Sequence, residues 1–189
     1  MLERLSILCY AKCISTHMRD NVSSAVNQQE RLKIIGWVVG FVDGEGCFCV
    51  SINRNSTSRT GWQVIPEFVV TQGQKSLSSL EELKTFFGCG NIFVNHRYDN
   101  HREHLYRFCV RSLKDLREKV IPFFKSNQLR TAKSEDFKNF CKAMELIDQD
   151  EHLTLDGIAK IARVASLMNR KRPSRFLESS LTIRQARNH

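Results

Sequence analysis

The sequence predicts an α+β fold, with helices covering one face of an antiparallel sheet and the other face left open. Two observations carry this. Periodic segments follow the order helix, two strands, helix, two strands, then helices. The strand segments alternate, with apolar side chains on one face and mostly polar ones on the other.

The elements follow in order. Residues 1–27 carry no strong pattern and are read as a leader. A helix is expected over Gln28–Gly44, and strands over Cys47–Asn53 and Gln63–Gln72, joined by the polar loop Arg54–Gly61. In the first strand Phe48, Val50 and Ile52 face one way and Cys47, Cys49, Ser51 and Asn53 the other. In the second, Val64, Phe68 and Val70 oppose Gln63, Ile65, Glu67, Val69 and Thr71. A helix over Leu77–Phe87 stops at Gly88. Strands over Asn91–His96 and Leu105–Arg111 flank the charged loop Arg97–His104. Helices over Leu113–Ser126, Ser134–Ile147 and Leu155–Asn169 complete the pattern, with Ser112 and Ser134 as N-caps. This divides the chain into a leader (1–27), one domain (28–170) and a basic extension (171–189).

Charge narrows the partners. With 29 Lys and Arg against 20 Asp and Glu, the net charge is +9, which points to nucleic acid or an anionic membrane surface. No run of about 18 apolar residues exists, so no segment spans a membrane. The first residues lack an apolar core followed by a small-residue cleavage site, which argues against a secretory signal. A transit peptide and a disordered leader both stay open. From Ile158 onward Lys160, Arg163, Arg170, Lys171, Arg172, Arg175, Arg184 and Arg187 face Glu178 alone, as a solvated tail or as phosphate contacts. The seven cysteines are odd in number and scattered, which implies reduced thiols and a reducing compartment, either bacterial cytoplasm or an organelle. Cys47 and Cys49 stand without paired CxxC motifs, so a zinc site built with Cys89 and His96, His101 or His104 has little support.

The first helix holds the chemistry. Gly36, Gly40 and Gly44 share one face, and each costs a helix about 1 kcal/mol relative to alanine. Bare backbone on one stripe lets a second helix approach closely, either within the chain or on another copy. Trp37, Val38, Phe41 and Val42 beside it are apolar. The helix ends in Asp43-Gly44-Glu45-Gly46, two acids at the unfavourable end of the macrodipole. A hard divalent cation with oxygen ligands would account for them, and so would a polar turn.

At this point Val38-Val39-Gly40-Phe41-Val42-Asp43-Gly44-Glu45-Gly46 resembles the LAGLIDADG motif of homing endonucleases. Further similarity lies in Phe68–Gln72, Phe86–Ile92, Leu129–Lys133 with Phe137, Leu153–Gly157 and Met168–Asn169. The resemblance implies an αββαββα core with a saddle-shaped sheet and C-terminal helices. It implies a site-specific double-strand endonuclease using Mg²⁺, or Mn²⁺, with Ca²⁺ as a non-cleaving substitute. Glu45 falls on the metal-binding catalytic acid, with the Gly44 carbonyl as a further ligand, and Asp43 on the structural acid. Gln72 would hold solvent and Lys133 would neutralise developing charge. Glu45 replaces the commoner aspartate of the motif.

One motif occurs in the sequence, and two strands must be cut, which implies a C2 homodimer and a near-palindromic site. Gly36, Trp37, Gly40, Phe41, Asp43 and Gly44 would form the interface. Base readers expected on the open face are Ser51, Asn53, Asn55, Arg59, Gln63, Glu67, Thr71, Asn95, Arg97 and Arg107, the last less secure because Tyr106 and Phe108 leave its face ambiguous. Two other functions fit the same scaffold: a maturase binding its host intron RNA, and a DNA-binding regulator that does not cut.

Overall fold

The computed structural model describes residues 27–96, 104–169 and 176–179. Arg97, His101 and nearly all of the proposed leader and basic extension lie outside them. By its contacts the chain divides into Met1–Val38 and Val39–His189. Residues 27–38 of the first unit are helical, and the helix (α1) runs on in the second to residue 45.

The second unit contains the sheet. β1 (Gly46–Arg54) and β2 (Trp62–Gly73) pair antiparallel, with Gly46 opposite Val70 and Arg54 opposite Trp62. A 3₁₀ turn, Gln74–Ser76, leads into α2 (Leu77–Phe87), which Gly88 stops in the left-handed conformation at φ 57°. β3 (Asn91–Asn95) and β4 (Leu105–Val110) form the second pair. The strand order β1-β2-β4-β3 places β4 beside β2. Each predicted strand is present within a residue at either end.

Register assigns the faces. Phe48, Phe68 and Val110 align across three strands, as do Val70, Phe108 and Ile92. These side chains meet the helices. Phe48, fully buried, stacks on Phe68 with ring centroids 5.1 Å apart and touches Phe124, Phe137 and Phe140. Deleting a ring from such a site costs about 3–5 kcal/mol, so Phe48 sets both the sheet position and the helix packing.

The helices differ from expectation in three places. The Leu113–Ser126 segment divides into α3 (Leu113–Asp115), a π-helical turn (Leu116–Val120) and α4 (Ile121–Ser126). Pro122 explains the widened turn, because proline has no N–H to continue an α-helical ladder. Ser112 caps α3 as expected, its hydroxyl accepting the Asp115 amide at 3.2 Å. Ser134 does not cap α5 (Lys133–Asp148), because the helix starts earlier. Just upstream, the Thr131 hydroxyl accepts the Lys133 amide at 3.3 Å. α6 (Leu155–Ser166) is capped by the Thr154 hydroxyl, which accepts the Gly157 amide at 3.0 Å. The predicted helix there ends three residues early, and Asn169 turns the chain at φ 53°. The extension is not wholly a solvated tail, since Phe176 is buried edge-on against Trp62 at 5.0 Å. Lys160, an expected phosphate contact on α6, pairs with Glu151 at 2.6 Å.

Candidate active site and nucleic-acid face

The site begins where α1 turns into β1. Gly46 makes the turn possible: a Cβ there would sit 2.6 Å from Val42 Cγ1 and 2.7 Å from the Val42 carbonyl oxygen. Glu45 and Gly44 therefore stand exposed at the tip. Asp43 turns inward. Its carboxylate accepts the backbone amides of Arg130 (3.0 Å) and Thr131 (3.1 Å) and the Thr131 hydroxyl (2.7 Å). Burial pushes the Asp43 carboxyl up, but the Thr131 hydroxyl and the two amides outweigh it, so its pKa lies below the ordinary 3.8.

That clasp positions α5. Lys133, on its first turn, donates from Nζ to the Gly46 carbonyl at 2.5 Å and to the Gly44 carbonyl at 3.4 Å. The ammonium thus grips the two carbonyls that flank Glu45. Gln72 is half-buried, two positions beyond Val70, the β2 partner of Gly46, and so lies at the same end of the sheet. Glu45, Lys133 and Gln72 come from separate elements and converge on one end of the fold.

A folding prediction follows from Asp43. Its group binds protons less readily folded than unfolded, so its contribution is complete above the unfolded value of 3.8 and fades as pH falls below it. Asp43→Asn is expected to lower stability at pH 7 by about 1 kcal/mol, the discount reflecting solvent exposure. The difference from wild type should shrink steadily as pH falls below 3.8 in urea titrations. A gap that stays constant down to the acid end of the titration would show that Asp43 acts by packing instead.

Side chains outside the expected set join this region. Asn169 donates from Nδ2 to the Phe48 carbonyl at 2.9 Å, and its Oδ1 accepts from the Cys47 thiol at 3.2 Å. The Cys47 thiol is lowered to about 7, first by its hydrogen bond with Cys49, against the effect of burial and with help from Lys133. The alternation of Cys47 and Cys49 already placed both on the open face. The proximity of Cys47 to Lys133 and Asn169 had no signature in sequence.

Against this geometry, the family model described as "LAGLIDADG endonuclease" matches residues 38–144. The chain belongs to the LAGLIDADG endonuclease family. "Probable intron-encoded endonuclease 3" of Neurospora crassa is 30% identical over 140 residues, covering 73% of this chain. The chain spans only 25% of that relative's length. Among solved structures, the homing endonuclease I-TnaI is 40% identical with a TM-score of 0.70, over 79% of this chain and 97% of that one. The I-SmaMI LAGLIDADG homing endonuclease bound to cleaved DNA is 36% identical with a TM-score of 0.68, over 77% of this chain and 46% of that one.

In LAGLIDADG terms, α1 carries the motif and the open face of the sheet is the candidate nucleic-acid surface. Ser51, Asn53, Gln63 and Asn95 are exposed on it, and Thr71 and Arg107 are half-exposed. Register settles Arg107: it lies opposite Thr71 and Phe93, on the open side. Asn55 and Arg59 sit in the β1–β2 loop. Asn55 donates to Gln63 Oε1 at 3.2 Å, and Arg59 donates to the Leu153 carbonyl at 3.4 Å. Glu67 departs from the expected exposed reader. It is 7% exposed and accepts from Arg107 at 2.9 Å, Arg111 at 2.5 Å and the Cys109 thiol at 3.2 Å. Burial raises its pKa, and these bonds, Arg111 foremost, hold it below the usual glutamate value.

Of the proposed interface, Gly36, Gly40 and Gly44 are exposed, and Trp37, Phe41 and Asp43 are half-buried. A Cβ added at any of the three glycines meets nothing within 4 Å among the described residues. The five described cysteines are free thiols. Among the described residues no helix is long and apolar enough to cross a membrane.

Proposed function

We propose that this chain is a site-specific DNA endonuclease that acts as a homodimer on double-stranded DNA with a divalent cation, Mg²⁺ or Mn²⁺. One observation carries the reading: an exposed glutamate ends a glycine-faced helix, and a lysine from a distant helix grips the carbonyls on either side of it.

The donor set fits a hard cation. Glu45 and Gly44 are exposed residues at the tip of α1 and would offer a carboxylate and a carbonyl oxygen, the latter also 3.4 Å from Lys133 Nζ. A single chain brings one such glutamate, and a second copy packed on the glycine stripe would bring the other. A bound divalent cation lowers the pKa of the attacking water and stabilises charge on the phosphorane-like transition state. The Lys133 ammonium supplies positive charge at the same place without a proton transfer. Gln72 offers amide N–H donors and a carbonyl acceptor to orient solvent. The sheet face positions the duplex, and the net charge of +9 draws it in. The reduced thiols suit a reducing compartment.

The test is cleavage of a plasmid carrying the rejoined insertion site of the protein's own gene. Linearisation in Mg²⁺ or Mn²⁺, and none in chelator, is expected. Folded protein that binds the host transcript tightly and never cuts DNA would favour the maturase instead.

A further inference from the structure

We infer that Glu67 is a positioning residue that holds Arg107 and Arg111 together as one paired reader of two neighbouring guanines in the DNA target. The inference rests on the proposed DNA-binding role of the sheet face and assigns it a specificity element.

The geometry is unusual for a pair of surface arginines. Arg107 and Arg111 lie on β4 and just beyond it, four positions apart on the same face. Extended strands would separate their backbones by about 13 Å. Their guanidinium groups nonetheless converge on one carboxylate, Arg107 Nη2 on Oε1 at 2.9 Å and Arg111 Nε on Oε2 at 2.5 Å. The Cys109 thiol, between them in sequence, donates to Oε2 at 3.2 Å. The Phe93 ring lies 5.9 Å from the Arg111 guanidinium carbon. Two long, flexible side chains are thereby fixed at the centre of the open face.

Stability alone does not explain the arrangement. A buried ion pair is often no better than apolar side chains of the same size. The same face already carries Ile65 and Val69 on β2, flanking position 67. An apolar residue there would pack without any desolvated charge. What Glu67 adds is direction. The two arginines keep substantial exposure, 36% for Arg107 and 54% for Arg111, while the carboxylate beneath them is almost covered. Arg111 uses Nε for Glu67, so its bond to that carboxylate does not engage its terminal nitrogens. Two guanidinium groups and one carboxylate leave the cluster net positive. An arginine edge of this kind matches the O6 and N7 acceptors of guanine in the major groove. Ordering both side chains before binding removes a cost that a free arginine meets on docking. Because both heads reach one carboxylate, the guanines they read should lie within roughly two base-pair steps of each other.

The test is selection from a randomised duplex library by wild type and by Glu67→Gln, Arg107→Gln and Arg111→Gln, with base preference read at every position. Wild type is expected to select guanine at two positions of each half-site within that spacing. Glu67→Gln should weaken guanine preference about tenfold at both positions and leave the others unchanged. Arg107→Gln and Arg111→Gln should each erase one preference and alter the other at least threefold, because they share a carboxylate. An even loss at all positions in Glu67→Gln, or preferences within twofold of wild type, would overturn the inference. If Glu67→Gln does not fold, the arginine variants decide: each affecting only its own position overturns the coupling. Wild type that selects sequences normally while Glu67→Gln matches it sinks this inference alone. Wild type that selects no sequence at all overturns the proposed function along with it.

Discussion

Glu45→Gln is expected to abolish cleavage and leave DNA binding and folding intact. The side chain is exposed at the end of α1, so its replacement by an isostere should change stability by no more than about 0.5 kcal/mol. What it removes is the negative charge that would hold a cation beside the phosphate. Transition-state stabilisation of several kcal/mol then disappears, which corresponds to a rate loss of about a thousandfold or more. Glu45→Asp should retain activity with a shorter reach. Lys133→Met should slow cleavage by about a hundredfold, the typical effect of removing one preorganised donor. Single-turnover cleavage beside gel-shift binding separates the outcomes. Cutting by Glu45→Gln at more than a tenth of the wild-type rate would show that the metal is held elsewhere.

Gly40→Leu should stabilise the isolated chain and at once abolish the proposed double-strand cutting. Leucine is a far better helix former than glycine, by roughly 0.8 kcal/mol. A Cβ at position 40 meets nothing within 4 Å among the described residues, so a single chain has room for the larger side chain. Two copies packed on the Gly36, Gly40 and Gly44 stripe would not have that room. Sedimentation at micromolar concentration is expected to show a dimer for wild type and a monomer for Gly40→Leu. Double-strand cutting should fall in step with the dimer. A glycine packed inside its own chain would behave oppositely, losing stability when enlarged. A wild-type chain that sediments as a monomer would dismiss the dimer.

The fold was legible because its signals are local. Alternation along each strand names the buried face before any partner is known, and Phe48, Phe68 and Val70 lie where it puts them. The α1–β1 tip was legible for a different reason: glycines inside a helix and acids at its C-terminus violate propensity, and the violations mark the site. Long-range pairing was not legible. Nothing in the sequence says that Glu67 on β2 faces Arg107 and Arg111, because β2 and β4 are neighbours only through the order β1-β2-β4-β3. Parity could place Glu67 on the open face but not reveal that two arginines would cover it. Ser134 failed as a cap because α5 begins at Lys133, one residue before it. Phe176 looked like part of a basic tail because one aromatic among charges carries no period, yet it is buried against Trp62.

The clasp between Asp43 and the Arg130–Thr131 amides, with Lys133 gripping Gly44 and Gly46, ties together stretches 87 positions apart. Under the proposed function, it makes the cutting machinery modular. Strand residues such as Ser51, Asn53, Gln63 and Asn95 stand outside this clasp, so drift or deliberate redesign can change the site that is recognised without disturbing the chemistry. Residues 43–46 and 130–133 can be exchanged between relatives only as a matched set, because either half alone leaves the other without its anchor.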